Sequence, residues 1–103
     1  MEKDKILQDI VGNLYEIYND ILFGKINFNY NKSMCAIGPS NPGEVIFCTA
    51  EYIRVKCIED NYIIPQKDWK IIIEDIENAK KLAKIRNKKF SDTIQMMKDY
   101  AEI

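Results

Sequence analysis

The chain has 103 residues, 47% hydrophobic and 30% charged, with a formal net charge of −1. That composition excludes a disordered chain and allows one domain with a core large enough to fold without staples. The near-neutral balance leaves no global field to draw the chain to nucleic acid or to an anionic membrane, so any such attraction has to be local.

There are 18 Ile, 13 Lys and 9 Asn, but only two Arg and no His. Ile, Lys and Asn have AT-rich codons, which suggests a low-GC bacterium or its phage as the source. The charged N-terminus, MEKDKILQD, has no apolar run of the kind a secretory leader needs. No apolar stretch approaches the roughly 20 residues that cross a bilayer. Cys35, Cys48 and Cys57 are odd in number and show no CxxC spacing, so the expectation is reduced thiols in the cytoplasm, packed in the core, and neither a disulfide framework nor a zinc site.

Residues 4–23 read as a helix. Leu7, Ile10, Leu14, Ile17 and Ile21 recur at spacings of three and four. Ile6, Val11, Tyr15, Tyr18 and Leu22 widen that stripe, so this helix is expected to meet two neighbours. Gly12 interrupts it, and close approach of another element would explain a glycine there. Gly24 suits the left-handed position just past a helix end.

Residues 25–31, KINFNYN, alternate strictly. Ile26, Phe28 and Tyr30 would face one side and Asn27, Asn29 and Asn31 the other, as in a half-buried strand. Met34–Ile37 would pair with it as a hairpin. The run GPSNPG, 38–43, is the strongest loop signal, since two prolines remove two donors and fix φ. Glu44–Ala50 and Tyr52–Ile58 are read as a third and a fourth strand, because Ile53 and Val55 are β-branched and Tyr52 is aromatic. The alternatives are one long bent strand through both, or a short helix over 51–57. Tyr62–Ile64 would be a fifth strand, ended by Pro65.

The stretch from Pro65 to Phe90 is the longest amphipathic segment and carries the single tryptophan. Trp69, Ile72, Ile76, Ala79 and Ala83 mark one helical face, and Asp68 suits its first turn. The apolar stripe continues through Ile94, Met97 and Ala101. One helix over 68–101 would be about 50 Å long, whereas a compact domain of this size is only about 35 Å across. A break near 87–91 is therefore expected, with Asn87 or Ser91 as the break point. The alternative is a projecting helix that forms a homodimer. The predicted class is α+β: an N-terminal helix, a four- to five-stranded mainly antiparallel sheet, then one long or two C-terminal helices, all in one domain over residues 1–103.

The chemistry-bearing residues are few. Without His there is no usual general base, no usual triad member and no commonest zinc ligand. GxSxG, P-loop, GxGxxG and HExxH patterns are missing, so no catalytic residue, metal ligand or cofactor is assigned and a non-enzymatic protein is expected. Two binding surfaces are expected instead. The polar ladder Asn27, Asn29 and Asn31 with the rigid loop Pro39, Ser40, Asn41 and Pro42 would meet a protein partner at little ordering cost. The run Lys80–Lys89 holds six bases in ten residues and no acid. Lys80, Lys81, Lys84 and Lys88 on one side of a helix would face phosphates. The first surface points to a stoichiometric inhibitor or an immunity or anti-defence protein, of the anti-CRISPR kind. That is the expected function; the second surface gives the alternative, a nucleic-acid- or nucleotide-binding module.

Overall fold

A computed structural model describes residues 2–24, 42–82 and 84–103. Every regular element in them is helical. In order they are α1 (Glu2–Leu22), α2 (Pro42–Ile53), a π-helical turn (Arg54–Glu59), α3 (Gln66–Leu82) and α4 (Lys88–Ala101). The α+β expectation is thus corrected to an all-helical fold among the described residues. The strands expected over 25–31 and 34–37 lie outside those residues.

The third and fourth strands are in fact α2 and its π turn. Pro42 and Gly43, the end of the GPSNPG run, already belong to the helix, where a first-turn proline sacrifices no intrahelical donor. Glu44 in that turn faces the positive end of the dipole. The buried residues Ile46, Ala50, Ile53 and Cys57 recur at spacings of four, three and four, a helical period that outweighed the β-branching of Ile53 and Val55. Tyr62–Ile64, the expected fifth strand, is an irregular connector. It buries Ile64 and leaves Ile63 exposed.

The expected face of α1 is the buried one, with Leu7, Ile10, Leu14 and Ile17 all in the core. Its wide stripe does serve several neighbours: α2, the π turn and α4. Asn13 Nδ2 also reaches Met96 Sδ on α4, at 3.6 Å. Gly12 does not mark a close approach. It sits on an exposed face, and a Cβ built there meets nothing within 4 Å. Gly24 has φ +74°, and its N–H donates to the Ile21 carbonyl, so it closes α1 in the left-handed position expected of it.

The long C-terminal segment does break. The Pro65 carbonyl accepts from the N–H groups of Asp68 and Trp69 at the start of α3. Trp69, Ile73, Ile76 and Ala79 face the core, while Ile72 is half-buried and Ile71 exposed. Lys84 then adopts φ +56°, its N–H donating to Lys81, and the Ile85 N–H donates to Lys80 at 3.0 Å. This six-to-one closure ends α3 and drives Ile85 into the core. Asn87 caps α4 by accepting from the Phe90 N–H at 2.9 Å. Folding back lets α4 pack on α1 and α3, so residues 68–101 are not one long projecting helix. Gln66 at the start of α3 donates to the carbonyls of Ala101 and Glu102, tying the two ends together.

No helix among the described residues is long and apolar enough to cross a membrane. Of the cysteines, Cys57 is in the core as expected. Cys48 is exposed instead, and both are free thiols. Cys35 lies outside the described residues.

Candidate functional site

The α3–α4 turn builds a basic groove. Lys80 and Lys81 close the last turn of α3, Lys84 and Arg86 come from the turn itself, and Lys98 reaches in from α4. All five line one open cavity of about 750 Å³, with Ile85 and Ile94 among its apolar residues. Glu74 and Glu77 are the carboxylates in the lining. Lys98 Nζ sits 3.2 Å from Glu77 Oε2, so that pair is internally neutralised. Lys80, Lys81, Lys84 and Arg86 make no ion pair among the described residues.

The expected lysines are therefore partly brought together. Lys80, Lys81 and Lys84 share the groove; Lys88 does not line it. Nor do the four share one helical face, because Lys84 lies beyond α3 and Lys88 opens α4. Arg86 and Lys98 are the additions that the helical-face reading missed. Arg86 stood within the basic run, but Lys98 lies nine residues past it, and only the fold-back of α4 brings it in.

Helix electrostatics explain some of these charges and not others. Lys80 and Lys81 complement the negative end of α3. Lys88 and Lys89 sit at the positive end of α4, which has no acid in its first turn, so the dipole opposes them. Lys89 is compensated by an ion pair with Glu16 on α1. The positive end of α4 adds to the field of the turn cations instead of offsetting it.

Comparison with family models, curated proteins and solved structures finds no match.

Of the expected protein-binding surface, Asn27, Asn29, Asn31, Pro39, Ser40 and Asn41 lie outside the described residues. Pro42 is described, and it is buried at the start of α2. It is not a presented loop residue. A different open groove, of about 430 Å³, runs between α2 and α3. Cys48, Tyr52, Ile71 and Ile72 supply its apolar lining, and Asp68 and Asp75 line it two helical turns apart. Ile71 there is 59% exposed. Burial is the main cause raising the Tyr52 phenol above its ordinary value, followed by the nearby Tyr62 and Asp68. Among the described residues no three His, Cys, Asp or Glu side chains converge as a metal-holding group.

Proposed function

We propose that this chain is a non-enzymatic binding module whose basic groove takes the phosphate backbone of a nucleic acid. The observation that carries this reading is the convergence on one groove of Lys80, Lys81, Lys84 and Arg86, which make no ion pair among the described residues. Apolar residues beside cations lower the local dielectric and strengthen their pull on phosphate. Free thiols and the lack of a CxxC pair support a cytoplasmic setting.

The test is binding of a labelled oligonucleotide, single-stranded and duplex, by fluorescence anisotropy over a range of salt. Four neutralised phosphates give a log–log slope of about −3 to −4. Replacing Lys80, Lys81 and Lys84 together by Gln should remove most of that slope. Binding indifferent to salt, or unchanged in the triple variant, overturns the reading.

A second reading, a protein-binding inhibitor or immunity-type factor of a low-GC bacterium or its phage, is favoured by the α2–α3 groove. An apolar lining with Asp68 and Asp75 at i and i+7 suits a basic amphipathic helix carrying its own i, i+7 cations. Asp68→Lys with Asp75→Lys should weaken a designed basic amphipathic peptide at least tenfold and spare the oligonucleotide. If the charge reversal leaves the peptide bound as before, this groove is not its site.

A further inference from the structure

A third cavity, of about 190 Å³, is lined jointly by α1, the π turn, the 61–64 connector, α3 and α4. Three aromatic rings, Tyr62, Trp69 and Tyr100, line it together with the carboxylate of Asp4. Trp69 and Tyr100 meet edge to face, with ring centroids 5.6 Å apart and planes inclined at 64°, so they form two walls of a corner. Leu7 and Cys57 add apolar surface. Among the described residues no Lys or Arg lines it.

We propose that this cavity binds a quaternary or methylated ammonium group. Aromatic faces carry the negative part of the ring quadrupole and attract a cation held against them. A methylated ammonium suits such a wall better than a bare one, because it brings little hydration to lose and fills apolar space. Asp4 supplies the full negative charge that a ring cannot. Its influence already reaches the site: the Tyr100 phenol is raised above its ordinary value, first by burial, then by Cys57 and by Asp4. The cavity is small, which selects a single onium head over a larger organic cation. This inference is independent of the basic groove and would survive its failure.

Trp69 is the single tryptophan in the chain, so its fluorescence reports directly on the cavity. The experiment titrates the whole protein with tetramethylammonium, choline and the neutral isostere 3,3-dimethylbutan-1-ol, at constant ionic strength. A parallel arm uses a short peptide carrying trimethyllysine and its unmethylated counterpart. The expected result is a saturable change with the cations, which bind about five- to thirtyfold tighter than the isostere. Asp4→Asn and Tyr62→Ala, both at exposed positions, should each weaken the cation several-fold, and Tyr100→Phe should retain it. Tighter binding of choline or of the methylated peptide identifies a free metabolite or a modified protein as the source. Equal binding of the isostere, no saturable response to any cation, or indifference to both exposed-site variants overturns the proposal.

Discussion

The guanidinium of Arg54 clasps the carboxylate of Glu51 with two hydrogen bonds, Nε to Oε2 and Nη2 to Oε1, both at 3.1 Å. The same Nε lies 3.2 Å from the Tyr15 hydroxyl on α1, which itself donates to Glu51. Nη1 pairs with Glu59 at the far end of the π turn. One side chain thus ties α1, α2 and the turn that follows α2. The turn needs such a tie, because π-helical hydrogen bonds are rare and local: the Asp60 N–H reaches back to Val55, and Tyr62 to Lys56.

Arg54→Lys keeps the charge but loses the fork that makes three contacts at once. The expected outcome is faster amide exchange at Asp60 and Tyr62, with α4 unchanged, read by hydrogen exchange. Equal protection in both proteins would show that the turn holds by packing alone.

Gly12 and Lys84 are each in the other's natural place. Gly12 sits in a helix with open space around it, and Gly12→Ala should add about 1 kcal/mol. Lys84 holds a left-handed conformation, φ +56°, that a glycine adopts without strain. Lys84→Gly should add a similar amount, about 1 kcal/mol. Both gains should appear as a higher urea midpoint at constant m-value. The second should also reduce the salt slope of oligonucleotide binding by about 1, so stability and binding would move in opposite directions at one residue.

Burial raises the Cys57 thiol above its ordinary 9.0, although a hydrogen bond from the Ile64 backbone opposes the shift. Burial likewise raises Tyr100 above its ordinary 10.0. The unfolded chain ionises both groups at their ordinary values, and the folded chain keeps its protons longer. Their stabilisation is therefore complete below pH 9.0 and is lost as pH rises toward the raised values. Urea midpoints should be level up to that pH and fall beyond it, and Cys57→Ala should flatten the first part of the fall. The same profile in wild type and variant would remove Cys57 from the account.

Some of this protein was legible in order along the chain. The face of α1, its glycine stop and the Trp69–Ile76–Ala79 face of α3 follow from local period and local backbone freedom. The break before Phe90 follows from simple length, because a helix spanning 68–101 exceeds a domain of this size. The residues of α2 were misjudged because β-branched and aromatic residues suit either state. Their helical signal, Ile46–Ala50–Ile53–Cys57, is broken by the equally apolar Val45, Phe47, Cys48 and Val55, which leave no clear polar face.

By itself the sequence determined where apolar stripes lie, where α1 stops and which bases are dense. These depend on neighbours within a turn or two. Only the tertiary structure decided that 42–59 is helical, that Lys98 and Arg86 join Lys80, Lys81 and Lys84, and that Asp4 faces Trp69 and Tyr100 across one cavity. Those relationships join residues far apart in the chain. They exist because burying three helical faces against α1 leaves few ways to fold back, and no local pattern records which one wins.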